Sequence, residues 1–366
     1  MKSKLNIFLC GYINVINAQN LNCLSIAKYI DKRRFHVHTL SLNSVEKLDP
    51  IEGVSVINCI KPYRLSILIG MVIGILRCDV AYFPKHIDTP NFILFLAKIL
   101  NKVSFTTIEM NMCDRTKLNL TDNFGSKYKM KKHFDLISYV FGISRFIISQ
   151  ANCGVKLEGD PLYLGVEKNN FDNKSIRKKL KNIVFIGSLV RRKNIEDFFK
   201  LSSKFDSVNF HVIGNKQYVN ITRRKVKLKN AWIDNESNRK SIKIPENVIF
   251  HGKLDRYDLP LKMQDMDLLF LPSRSEGFPK VILEAAASSM PSIVYSDYGA
   301  DEWIDHGVNG FVVNEFGEVV EIIDRLIKDD HMFSQLSSNV VSMADYFNWD
   351  QIIKNWEDTI IRINNE

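Results

Sequence analysis

The chain has 366 residues, 45% of them hydrophobic and 25% charged. That composition excludes a disordered polypeptide, and the length suits two domains better than one core. The net charge of +9 and pI of about 9.1 favour an anionic ligand or surface: a nucleotide, a nucleic acid or an acidic membrane.

The first segment, "MKSKLNIFLCGY", has a basic start and a short apolar run that turns polar at "NVINAQN". It reads as a first strand rather than a signal peptide. "KLNIFLCGY", "HVHTLSL", "CDVAYF", "VSFTTIEM" and "RFIISQ" are the predicted strands of a first half. Within that half, "LSILIGMVIGILR" (Leu65–Arg77) is the most apolar run. It falls short of the ~18–20 residues of a spanning helix. It reads as a helix buried on a sheet, with a face that dips into a membrane as the alternative. "SKYKMKKHFDLISYVFGISRF" carries Lys127, Lys129, Lys131 and Lys132. It fits a solvated helix or a seat on an anionic membrane.

A polar stretch with Gly and Pro, Glu158 to Asn182, separates this half from a second set of runs: "NIVFIGSL", "VNFHVIGN", "NVIFHGKL", "DLLFLPS" and "PSIVYSD". Strands alternating with helices mean βαβ units and parallel sheets. The predicted fold is therefore α/β: two doubly wound, Rossmann-like parallel-sheet domains facing across a cleft. The expected division is 1–163, 164–345, and a C-terminal helix over 346–366 that returns to the first domain. The polar, basic stretch Lys216 to Asn247, with "ITRRKVKLKN", is longer than an ordinary loop and reads as an irregular helix or an insertion. Six cysteines, Cys10, Cys23, Cys59, Cys78, Cys113 and Cys153, include no CxxC pair. The expectation is a reduced, cytosolic chain with neither a zinc site nor a disulfide framework.

In open α/β sheets ligands sit beyond the carboxyl ends of the strands. Three such ends in the second half suit an anion. "FIGSLVRRKN" offers Gly187 and Ser188, then the cations Arg191, Arg192 and Lys193, which can clamp a diphosphate. "HVIGN" offers Gly214. "LPSRSEGFPKVILE" offers Gly277, Phe278 and Pro279 before a helix starting near Lys280. A helix start presents free N–H groups and the positive end of a dipole. Glu276 precedes that helix and Glu284 lies about one turn inside it, a separation of at most ~12 Å where helical. Carboxylates accept from paired hydroxyls, so one could hold a ribose and the other a sugar. The alternative is two solvated acids near a helix N-terminus.

The run "PSRSEGFPKVILEAAASSMPSIVYSDYGADEWIDHGVNGFVV" resembles the Glu-x7-Glu signature of the retaining nucleotide-sugar glycosyltransferases of family 4, which have the two-domain GT-B fold. The resemblance is specific over about 182–313 and looser over the first half. It implies that Glu284 binds ribose hydroxyls and that Glu276 contacts the donor sugar and steadies charge at the reacting centre. It also implies that the amides of Gly277, Phe278 and Lys280, beside Pro279, face the sugar. Lys193 would then bind the diphosphate, and Leu254 would lie beside the base. Gly11, in "CGYINVINAQN", would face the donor from the first domain. Two positions depart from the family. Ser188 stands where an Arg is usual, with Arg192 as the substitute cation. Glu109, in "TTIEMN", stands where many members have a His, with His86 of "YFPKHIDTP" as a second acceptor-side candidate. "QDMDLLF" contains a DxD, Asp265 and Asp267, but at the start of a strand, the end away from ligands. No metal and no cofactor are expected beyond a donor of UDP or GDP type.

The resulting expectation is a metal-independent, retaining transferase that moves a sugar to a glycan or lipid-linked glycan in bacterial envelope polysaccharide synthesis. It would work in the cytoplasm, on the inner face of the plasma membrane, with no nucleic-acid partner. Alternatives are a nucleotide-sugar epimerase of similar architecture, a degenerate sugar-binding relative, and a basic nucleic-acid-binding protein. Against the last, no helix-turn-helix, RNA-binding or zinc motif occurs.

Overall fold

The computed structural model describes residues 4–46, 48–113, 119–150, 152–171, 175–214, 217–219, 225–227, 232–234, 241–243 and 245–366. It divides into two compact units, Met1–Gly165 with Trp349–Glu366, and Val166–Asn348.

The first unit is a six-stranded parallel sheet of β1 (Leu5–Tyr12), β2 (Phe35–Leu42), β3 (Val54–Cys59), β4 (Val80–Tyr82), β5 (Val103–Ile108) and β6 (Tyr139–Gly142). Their spatial order is β3-β2-β1-β4-β5-β6. The order reverses between β1 and β4, the switch point at which a doubly wound sheet opens a crevice. The C-terminal helix Trp349–Asn365 belongs to this unit. Its Trp356 is fully buried, donates from Nε1 to the Tyr163 carbonyl at 2.9 Å, and meets the Tyr82 ring edge-on. Glu357 accepts from the Asp31 amide at 2.7 Å and from Arg34 at 3.2 Å.

The second unit repeats the plan with β7 (Asn182–Ile186), β8 (Asn209–Ile213), β13 (Val248–Gly252), β14 (Leu268–Leu271), β15 (Ser292–Tyr295) and β16 (Gly310–Val313), ordered β13-β8-β7-β14-β15-β16. Between β8 and β13 lie two small antiparallel pairs, β9 (Gln217–Val219) with β10 (Lys225–Lys227) and β11 (Trp232–Asp234) with β12 (Ser241–Lys243). Of the two readings of this stretch, these pairs fit an insertion and not an irregular helix. The rest of the "ITRRKVKLKN" patch lies outside the described residues. One aromatic core fills the space under the sheet, with Phe198 stacked on Phe270 and edge-on to Phe185 and Phe210.

Four expectations need correction. "RFIISQ" is a helix, Arg145–Ser149, and the strand is the preceding Tyr139–Gly142. Ser144 caps that helix by accepting from the Ile147 amide at 3.2 Å, a local signal that outweighs a short apolar run. β3 and β16 are further strands; β3 is a half-exposed edge whose "VSVINC" lacks a continuous apolar run. Cys113 and Cys153 form a disulfide, with Cα atoms 6.1 Å apart, while Cys10, Cys23, Cys59 and Cys78 are buried thiols. The pairing joins the segments that follow adjacent strands β5 and β6, a proximity that a separation of 40 residues hides. Finally, Tyr63–Arg77 is a helix on the sheet but is not enclosed: Leu65, Ile69 and Leu76 are each at least half exposed.

Candidate functional site

The switch point of the second sheet lies between β7 and β14. The two carboxyl ends that meet there carry the two richest motifs of the chain. After β7 the backbone turns at Gly187, with φ of +155°, where an L side chain would be strained. Gly214, following β8, packs so closely that a Cβ would sit 2.0 Å from the Gly187 carbonyl oxygen. Gly187 is therefore required by its own backbone conformation and Gly214 by backbone approach. Past Ser188 a short 3-10 turn, Arg191–Lys193, ends at Asn194 in the left-handed region, and the helix Ile195–Ser202 begins.

After β14, "PSRSEGFP" crosses in front of that turn. Two hydrogen bonds lace the segments together. The Arg274 amide donates to the Arg192 carbonyl at 2.8 Å, and the Arg192 guanidinium donates to the Ser275 carbonyl at 2.8 Å. The same guanidinium nitrogen lies 2.8 Å from a Glu276 carboxylate oxygen, and Lys193 Nζ pairs with the other oxygen. The Glu276 and Lys193 side chains are only 8% and 11% exposed, against 39% for Arg192. Burial alone would push the Glu276 carboxyl up, but the Lys193 and Arg192 charges outweigh it and hold it below the usual glutamate range. Lys193 is held below the usual lysine range, first by burial and then by Arg192, with Glu276 opposing.

The helix Lys280–Ala287 starts at Pro279, whose side chain makes no capping bond. The first amides of a helix have no partner within the helix, and this helix start follows the Glu276-Gly277 segment directly in sequence. Phe278 is anchored against Trp303 at 5.0 Å and Phe347 at 5.8 Å between ring centres. Glu284 lies one turn into the helix, and burial pushes its carboxyl up, with Lys280 opposing. A carboxylate kept poorly hydrated is primed to accept from ligand hydroxyls.

A supporting cluster was not read from the sequence. Asp197, 8% exposed, accepts from Tyr295 Oη at 2.8 Å, Lys200 at 2.8 Å and Asn194 at 2.7 Å. Arg274 stacks 3.7 Å above the Tyr295 ring and reaches Asp297 at 3.2 Å. This ties the start of the helix after β7 to β15 and to the "PSRSEG" segment. Its only sequence signal is an acid in the first turn after "RRKN".

Other expected residues lie elsewhere. Leu254, half-buried, follows the edge strand β13, so it shares the sheet end with Glu276 but not the switch point. Asp267 accepts from the amides of Lys181 and Asn182 at 2.9 and 2.8 Å, joining the starts of β7 and β14 at the opposite end of the sheet. Among the described residues no cluster of three His, Cys, Asp or Glu side chains could hold a metal. In the first unit Gly11 ends β1 beneath the helix Ala18–Tyr29, where a Cβ would meet Cys23 Sγ at 2.7 Å. Glu109 follows β5 and accepts from buried Asn22 at 3.5 Å. His86 is 4% exposed, its Nδ1 3.4 Å from His133 Nε2. Burial, then His133, pushes it down to about 3, so its ring is a neutral core group.

This geometry coincides with the regions of similarity to known proteins. Residues 166–342 match the family model for glycosyl transferases group 1. An uncharacterized glycosyltransferase of Haemophilus influenzae is 25% identical over 192 residues, covering 50% of each chain. The N,N'-diacetylbacillosaminyl-diphospho-undecaprenol alpha-1,3-N-acetylgalactosaminyltransferase of Campylobacter jejuni is 23% identical over 210 residues, covering 53% of this chain and 51% of that one. The chain thus spans about half the length of these curated relatives. The structure of Anabaena HepE in complex with UDP-glucose superposes with a TM-score of 0.69 over 98% of this chain and 100% of that one, at 17% identity. The similarity to glycosyl transferases group 1 thus covers residues 166–342, and the fold of the chain is that of its GT-B structural neighbours.

Proposed function

We propose that the protein is a glycosyltransferase that moves a sugar from a nucleotide diphosphate sugar to a glycan or lipid-linked glycan. The reading extends to retention of anomeric configuration, as in family 4, and to bacterial envelope polysaccharide synthesis at the cytoplasmic side of the membrane. The observation that carries it is the Glu276–Arg192–Lys193 cluster beside a helix N-terminus, with Glu284 one turn further on. HepE, a structural neighbour, binds UDP-glucose, which favours UDP over GDP. The acceptor of the Campylobacter relative is diphospho-undecaprenol-linked by its name, which favours a lipid-linked acceptor here.

In this reading Glu284 accepts from the ribose hydroxyls and Leu254 flanks the base. Lys193, Arg192 and the amides of Gly277, Phe278 and Lys280 receive the diphosphate and the sugar. The reaction breaks the bond between the anomeric carbon and the phosphate oxygen. Negative charge grows on the diphosphate as it leaves, and cations fixed in a poorly hydrated crevice stabilise it without reorganising. The acceptor hydroxyl forms the new bond from the same face, and its proton passes to a phosphate oxygen of the leaving group. No protein base is then needed. Glu276, already held ionised by two cations, contacts the sugar hydroxyls and steadies positive charge at the anomeric carbon. Glu109 is the acceptor-side residue of the first unit.

The test is calorimetric titration with UDP, GDP, ADP, TDP and, as a control, CMP, on the protein and on Glu284→Ala. Micromolar binding of one diphosphate, lost in the variant, supports the ribose assignment. Equal binding by both proteins, or none by either, rejects it. Proton NMR of the product's anomeric centre then decides retention.

A further inference from the structure

The helix Tyr63–Arg77 is inverted. It meets the sheet through Gly70, Met71, Gly74 and Ile75, and its glycines allow close approach: a Cβ on Gly74 would fall 2.3 Å from the Phe8 ring. Three of its bulky residues face the other way. Leu65, Ile69 and Leu76 fall on one helical stripe, each half exposed or more. The next helix, Asn91–Ile99, does the same with Phe92, Phe95 and Ile99, again each more than half exposed. An ordinary surface helix puts such residues inward and charge outward.

These helices share one face of the first sheet. Right-handed crossovers from β3 to β4, β4 to β5 and β5 to β6 all pass on the same side. Tyr63–Arg77 packs beside Asn91–Ile99. The helix Lys127–Phe134 adjoins the latter, through His133 to Asn91 at 2.8 Å, and Lys98 donates to the Asp135 carbonyl at 3.0 Å. None of the three helices contains an Asp or Glu. The apolar stripe is bracketed by exposed Arg64, Arg77 and Lys98, and the third helix adds exposed Lys127, Lys129, Lys131 and Lys132. No helix among the described residues is long and apolar enough to cross a membrane.

We infer that this three-helix face docks on an anionic lipid bilayer, with Leu65, Ile69, Leu76, Phe92, Phe95 and Ile99 entering the acyl boundary and the cations lying over the headgroups. The charge pattern chooses this occupant. A second copy of the chain would bring the same cations against themselves, whereas an anionic surface complements all of them. The inference does not rest on the transfer activity.

The test is sedimentation of the full chain with phosphatidylcholine vesicles, with and without phosphatidylglycerol, at low and high salt. The protein is expected to pellet only with phosphatidylglycerol and to be released by salt. In Ile69→Ser/Phe92→Ser/Phe95→Ser, affinity is expected to fall roughly tenfold per side chain. Replacing Lys127, Lys129, Lys131 and Lys132 by Gln is expected to weaken it about a hundredfold or more. Both variants alter exposed positions, and circular dichroism melts matching the parent confirm their fold. Absence of binding, binding indifferent to phosphatidylglycerol, or unchanged binding by the folded variants overturns the inference. So does a concentration-dependent dimer in sedimentation velocity that the serine variant abolishes, since the face would then belong to a second copy.

Discussion

Replacing Glu276 by Gln keeps shape and removes charge, which makes it a sharp probe of the cluster. The carboxylate is 8% exposed and neutralises Lys193, which is 11% exposed. Without it Lys193 is left as a nearly dry, unpaired ammonium, at a cost of ~3–5 kcal/mol. Arg192, 39% exposed, keeps part of its hydration and adds about 1 kcal/mol or less. Lys193→Met is the asymmetric counterpart. Glu276 still holds Arg192 at 2.8 Å, so the loss is that of one charged hydrogen bond, ~1.5–3 kcal/mol. The double variant removes both dry charges and is expected to lie within about 1–2 kcal/mol of the parent. The single-variant losses should therefore fail to add, with a coupling of at least about 2.5 kcal/mol. Urea denaturation of the four proteins at neutral pH measures this. The sign with pH follows. The folded-state pKa of Glu276 is depressed below 4.5, so the stabilisation is fully present above about pH 4.5 and is lost as pH falls through the folded value. The parent should lose more stability on acidification than the double variant. Additive losses, or a parent and double variant with parallel acid profiles, would refute the pairing argument.

Three further outcomes are expected. Gly214→Ala places a Cβ 2.0 Å from the Gly187 carbonyl oxygen; it should cost ~1–3 kcal/mol and weaken diphosphate binding by calorimetry, whereas Gly159→Ala, with nothing within 4 Å, should do neither. Glu284→Gln should raise the melting temperature of the ligand-free protein at neutral pH, because burial raises the Glu284 pKa and its ionisation works against folding; the same variant should bind nucleotide more weakly. Gly74→Ala should destabilise the first unit despite the better helix propensity of Ala, ~1 kcal/mol, because the Phe8 ring it would strike is fully buried; an unchanged or raised thermal midpoint would argue against tight seating of that helix.

Much of the second unit was legible because its signals are local. β7, β14 and β15 coincide with apolar runs buried throughout, as expected for strands covered on both faces, while β8 and the half-exposed edge strand β13 carry shorter runs interrupted by His. The start of the helix at Lys280 follows from the Gly-Phe-Pro turn. The spacing of Glu276 and Glu284 is a sequence property, and one helix sets it in space. The pairing of Glu276 with Arg192 is not such a property. Those residues are 84 positions apart, and only the parallel adjacency of β7 and β14 brings them together. The Asp197–Tyr295 bond, across 98 positions, has the same origin. His86 shows the converse: a loop histidine that looked available is placed by the fold against His133, 47 positions away.

The helix Tyr63–Arg77 shows where composition reads correctly and orientation does not. A strongly apolar helix of the first half reads as buried when apolar content is the only signal. Two glycines spaced four apart reverse that. They mark the face of closest approach, shared with buried Met71 and Ile75, and leave Leu65, Ile69 and Leu76 on the outward side. Gly214 likewise marks a close approach, where a Cβ would strike the Gly187 carbonyl oxygen.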